Sequence, residues 1–166
     1  MRVFRTLAVL LLLAPAFVAA QSRPDFSGSW VLDSARSQLP PTNTALAIAL
    51  TYPRTVTQTE LEIRMVTTTP AGAPSASPQL FRFTSTPNVS TSEIEGRVMR
   101  SQSAVQWEND TVVRTMSATI DGQPAATSRD VLRLEEDGRV MTYTREMRRP
   151  EGQTRVLARY VYVRGS

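Results

Sequence analysis

The chain has 166 residues and a formal net charge of +4, and it contains no cysteine, no histidine and no lysine. These absences exclude a disulfide framework and thiolate chemistry, a Ser-His-Asp triad, histidine-based metal centres, and Schiff-base, Walker-lysine and Ser-Lys chemistry. All 19 basic residues are arginine, with only a mild excess toward the C-terminus, so a polybasic nucleic-acid or membrane-binding tail is not expected.

Arg2 and Arg5 precede an apolar run from Thr6 to Phe17, and small residues follow up to Ala20. That three-part order is the pattern of a secretory signal peptide. The run is shorter than the roughly 20 apolar residues a membrane span needs, and Pro15 interrupts it. No cysteine follows, so no lipid-modified N-terminus is expected. The expectation is a signal peptide at 1–20, cleavage near Ala20, and one domain at 21–166 in the periplasm or outside the cell.

FSGSWVLD puts Phe26, Gly28, Trp30 and Leu32 on one face by the strand period of two. Asp33 and Ser34 can cap a single turn, SARSQ, before Pro40 and Pro41 stop it. Residues 43–52 read equally as a short helix or a buried strand. TVTQ and LEIRMV form a hairpin-like pair with Leu61, Ile63 and Met65 facing one way. Residues 67–78, rich in Pro, Ala, Ser and Thr, read as a long loop. LFRFT opposes Phe81 and Phe83 to Arg82, and RVMRSQSAVQW aligns Met99, Val105 and Trp107. Glu93 and Glu95 share a face if their segment is extended. Turns are expected at ENDT, at Asp121–Gln123, at Asp137–Gly138 and at Pro150–Gly152. Between them Leu132 and Leu134, then Met141, Tyr143 and Met147, then Val156, Ala158, Tyr160 and Tyr162 form inward rows.

Eight or nine strands result, with no helix after Trp107 long enough for a parallel crossover. The fold class is all-β. A closed or nearly closed antiparallel up-and-down barrel is expected, because closure removes exposed edges; a β-sandwich is the alternative.

DFSGSWVLD followed by SARSQLPP, then RTVTQTELEIRM, EGRVMRSQSAVQWENDT, LRLEEDGRVMTYTR and a last strand ending YVYVR resemble the small exported lipocalin-like proteins of bacteria. The order of these short motifs carries the resemblance over nearly all of residues 21–166. It implies an antiparallel barrel around a small cavity and no catalytic residues. Gly28-x-Trp30 resembles the Gly-x-Trp of the lipocalin superfamily, where a late arginine covers the tryptophan. Arg159 and Arg164 are the candidates for that role. Period two favours Arg164, on the face of Tyr160 and Tyr162, and a cation–π contact of about 0.5–2 kcal/mol is expected.

Arg145 is in phase with Met141, Tyr143 and Met147, and Arg114 with Val112 and Met116. A buried guanidinium must be paired. The partner is a bound carboxylate or phosphate, or a protein acid such as Asp130, or else the group reaches solvent at the barrel mouth. The candidate ligand-binding residues are therefore Trp30, Tyr143, Arg145 and Tyr160, and the residues of barrel closure are Gly28, Trp30 and Arg164. The ligand class is a small apolar, amphipathic or carboxylate-bearing molecule. An envelope interaction protein with a side-chain-filled barrel is the other reading. No catalytic set, metal site, cofactor or nucleic-acid partner is expected.

Overall fold

The computed structural model describes residues 23–40, 52–69, 71–74, 78–148 and 152–165. The expected signal peptide, most of the undecided segment 43–52, and part of the expected turn at Pro150–Gly152 lie outside these residues. Ten strands form one sheet: β1 (Gly28–Leu32), β2 (Arg54–Gln58), β3 (Glu62–Thr67), β4 (Gln79–Arg82), β5 (Asn88–Ile94), β6 (Arg97–Glu108), β7 (Thr111–Ile120), β8 (Gln123–Glu135), β9 (Val140–Arg148) and β10 (Thr154–Arg164). A single 3₁₀ turn, Glu136–Gly138, joins β8 to β9. No helix among the described residues is long and apolar enough to cross a membrane.

The spatial order is β4-β3-β2-β1-β10-β9-β8-β7-β6-β5, every neighbour antiparallel. Consecutive strands pair throughout except β4 and β5, while β1 pairs with β10 and brings the two ends of the chain together. This is an up-and-down barrel order with one open seam. Only Phe83–Pro87 link β4 to β5, and such a link spans at most about 20 Å, so the sheet must curl until its two edges approach. The result is an all-β, antiparallel half-barrel, as the strand-and-turn pattern predicts.

The turns follow from residues that accept positive φ. Asp121 and Gly122 (φ 51° and 79°) close β7 to β8, and Glu95 and Gly96 (φ 52° and 74°) close β5 to β6. The second of these creates the tenth strand that the sequence pattern does not count. It also separates Glu93, on β5, from Glu95, in the turn, so the two acids do not share a strand face.

Register stacks the core in rows across the concave face. Val105, Arg114, Asp130, Arg145 and Ala158 are successive cross-strand partners on β6 to β10. The next row is Trp107, Val112, Leu132, Tyr143 and Tyr160, and a third runs Leu134, Met141, Tyr162 and Leu32. Phe26, Trp30, Val56, Ile63, Met65 and Phe81 close over these rows from β1 to β4 and their approaches.

Two expected rows are broken. Leu61 is 73% exposed rather than aligned with Ile63 and Met65, because it lies in a turn where Thr59 Oγ1 accepts the N–H groups of Leu61 and Glu62. In β10 the register shifts between Val156 and Ala158, so Leu157 is an extra residue. Val156 thereby turns to the opposite face from Ala158, Tyr160 and Tyr162. β9 is buried on both faces from Val140 to Tyr143, where strict alternation predicts one wet face.

Candidate functional site

Two constellations carry the residues singled out above. The first lies at the base of the half-barrel. Trp30 is fully buried, and its Nε1 donates to the Phe26 carbonyl at 2.9 Å. The Arg164 guanidinium carbon lies 4.7 Å from the centre of the Trp30 ring. Arg164 also donates from Nη1 to the Ser27 carbonyl at 3.0 Å and from Nε to the Gly138 carbonyl at 3.1 Å. One planar fork thus ties the start of β1 to the β8–β9 turn while covering the indole. Gly28 makes room for it, since a Cβ there would lie 2.9 Å from Arg164 Nη1. Its φ of +135° is moreover open essentially to glycine alone. Arg159, the other candidate, is exposed and belongs to a backbone bridge with Gln38.

The second constellation lies further along the concave face. Asp130, 1% exposed, stands on β8 between its two register partners, Arg114 on β7 and Arg145 on β9. Arg114 donates from Nε to Asp130 Oδ2 at 2.9 Å, and its Nη2 makes a second, close ion pair with the same oxygen. Arg145 donates from Nε to Asp130 Oδ1 at 2.8 Å and from Nη2 to both Oδ2, at 3.2 Å, and the Tyr143 hydroxyl, at 2.8 Å. Arg114 Nη1 reaches the Leu80 carbonyl of β4 at 3.2 Å, and its guanidinium lies over the Phe81 ring.

Burial disfavours the charged form of Asp130, but the hydrogen bonds and charges of Arg145 and Arg114 outweigh it and hold the carboxyl below its ordinary range. The hydrogen bond to Asp130 holds Arg145 above the ordinary arginine value. Burial pushes the hydroxyls of Tyr143 and Tyr162 up. Two cations on one anion leave one net positive charge, on the Arg145 side, where the side chain remains 42% exposed. Of the three partners the sequence leaves open for Arg145, the protein acid Asp130 takes it, with part of the side chain also reaching solvent.

Trp30 and Tyr143 belong to one buried core, with Tyr160 packed against it. Tyr143 and Tyr160 stack with centroids 5.5 Å apart and Tyr143 meets Arg145, while Trp30 meets Arg164 at the base. A groove of about 450 Å³ opens at the β7–β8 hairpin among Ala118, Pro124, Ala126 and Arg148, and none of Trp30, Tyr143, Arg145 and Tyr160 lines it. Among the described residues, the side-chain polar atoms buried without a partner are Arg54 Nε, Trp107 Nε1 and Tyr162 Oη. Arg54 sits over the Tyr162 ring, and Phe83 stacks on Trp107, so neighbouring side chains already occupy those rings.

Sequence reasoning missed two features: Arg114 bonding to the Leu80 carbonyl, and the fully exposed strand β5. The first joins groups with no sequence relation. The second had a local signal in Glu95-Gly96. Taken together, the fold and site define an all-β antiparallel half-barrel whose concave face is closed by an arginine–tryptophan base and an Arg–Asp–Arg row. No family model, curated protein or solved structure matches the chain.

Proposed function

We propose that the protein is an exported, non-catalytic, lipocalin-like β-barrel that works as an interaction module of the cell envelope, making its contacts with its exterior. The observation that carries this reading is the engagement of both Arg114 and Arg145 by the buried Asp130 carboxylate within the protein. The guanidinium forks that suit an anionic ligand are already engaged by Asp130 and by the Tyr143 hydroxyl. The core around Tyr143 and Trp30 is occupied by side chains, which favours the side-chain-filled barrel over an interior ligand. Export rests on the leader pattern of residues 1–20.

Native mass spectrometry of the protein purified from its own host tests both parts. The expected result is a mass beginning at Gln21 and no co-purified small molecule, with crosslinking in intact cells recovering a protein or glycan partner. A stoichiometric apolar or carboxylate-bearing molecule retained by the folded protein overturns the reading.

A further inference from the structure

We propose that β5 is the edge through which two copies of this chain join, antiparallel about a two-fold axis at Thr91. All seven residues of β5 are exposed. One side of the strand pairs with β6; among the described residues nothing pairs with the other. The neighbouring ladder identifies the backbone groups on that free side. Val98 donates its N–H to Asp121 Oδ1 at 2.9 Å and its carbonyl accepts the Asp121 N–H at 2.8 Å, so its peptide groups point away from β5. Glu93, its partner, is therefore in a non-hydrogen-bonded pair. By the strand period, Val89, Thr91 and Glu93 turn their N–H and C=O groups to the free side. Three donors and three acceptors in regular extended spacing form a template for an added strand.

The other edge of the sheet is blunted. β4 has four residues, follows Pro78, and has its Leu80 carbonyl occupied by Arg114. β5 also follows a proline, Pro87, but it is longer, Asn88–Ile94 contains no proline within it, and its pairing with β6 has no register shift.

The sequence of β5 fits a second copy of itself. Pairing about Thr91 sets Thr91 against Thr91 of the second copy, Val89 against Glu93, and Ser90 against Ser92. The residues with outward peptide groups then meet one another, so the six free groups of each copy are all used. A centre at Val89 would place Pro87, which has no N–H, in the ladder; a centre at Glu93 would oppose two carboxylates. The Thr91 centre avoids both and separates the two carboxylates by about 13 Å along the strands, more than the screening length at physiological salt. The inference goes beyond the proposed function and holds whichever surface a further partner uses.

Single thiols test it, because the chain has no cysteine of its own. In the proposed register, cysteines at position 91 have Cα atoms about 5.5 Å apart, within disulfide reach. Cysteines at position 90 are diagonal neighbours about 7–8 Å apart, beyond easy reach. Under mild oxidation Thr91→Cys is expected to form a disulfide dimer about tenfold faster than Ser90→Cys. Sedimentation of the unaltered chain is expected to show a concentration-dependent monomer–dimer equilibrium. Thr91→Pro, which removes one outward N–H without touching the β6 ladder, should sediment as a folded monomer. The proposal is overturned if the unaltered chain stays monomeric to about 0.5 mM, well above the usual range of specific association. It is also overturned if Thr91→Cys couples no faster than Ser90→Cys, or if folded Thr91→Pro still dimerises. Should Thr91→Pro not fold, the two cysteine variants decide alone.

Discussion

A Cβ on Gly28 would meet Arg164 Nη1 at 2.9 Å, and the backbone there sits at φ +135°. Gly28→Ala therefore combines backbone strain with displacement of the guanidinium from Trp30. A loss of about 1–3 kcal/mol is expected, read from the urea midpoint with unchanged slope. Arg164→Lys keeps the charge but cannot hold the Ser27 and Gly138 carbonyls with one planar fork, so it should also destabilise, by less. The facing of Arg164 and Trp30 was legible because parity along the last strand separates Arg164 from Arg159. Asp130 offers a second test. Its carboxyl is held below the ordinary value by Arg145 and Arg114 against the cost of burial. A lowered folded value means that its contribution is fully present above the ordinary carboxylate pKa of about 3.9 and is lost as pH falls through the folded value. Asp130→Asn should cost about 3 kcal/mol at pH 7, since it leaves the partly buried Arg114 without a counter-charge. The gap to the unaltered protein should narrow below about pH 4, measured as urea midpoints across pH. Parity also put Arg145 on the inner face, but which of three partners it meets depends on pairing β7, β8 and β9 in register, and no local pattern encodes that register.

Strands and turns were legible where alternation and turn chemistry agreed. Trp30 and Leu32, and Ile63 and Met65, follow period two, and Asp121-Gly122 closes the hairpin it announces. Two elements escaped for physical reasons. β5 buries none of its residues, so it has no hydrophobic alternation to read, and only the Glu95-Gly96 turn marks it. The extra residue Leu157 shifts the face of everything before it in β10, and a bulge of this kind has no side-chain signature. The β5–β6 turn yields its own prediction. Glu95 holds φ 52° in an exposed turn, a conformation asparagine adopts at lower cost. Glu95→Asn should stabilise the chain by roughly 0.5 kcal/mol, because this substitution relieves strain and breaks no side-chain hydrogen bond among the described residues. Chemical denaturation measures it; a fall in stability would mean that the Glu95 side chain supports the hairpin.

At the scale of the molecule, the sheet has a packed region and an unpacked one. β8 to β10 hold Leu132, Met141, Tyr143, Ala158, Val161 and Tyr162 at or below 4% exposure, whereas β5 and the first residues of β6 lie open on both faces. Local opening costs little where few apolar contacts must break, so the sheet should not exchange its amide hydrogens as one unit. At concentrations low enough to keep the chain monomeric, the amides of Ser90, Ser92 and Ile94 should exchange with small protection although they bond to β6. Those of Leu132, Tyr143 and Tyr162 should exchange only through global unfolding, and their rates should follow the urea-derived stability. The open seam supplies the mechanical reason. In a fully closed barrel β5 would be held from both sides, but here β4 ends in a link of five residues, Phe83–Pro87, and β5 is held by β6 alone. Equal protection across β5 and β9 at low concentration would show that the seam is closed in solution. Protection of Val89, Thr91 and Glu93 that grows with concentration, while Tyr143 stays unchanged, would instead place a second chain along β5.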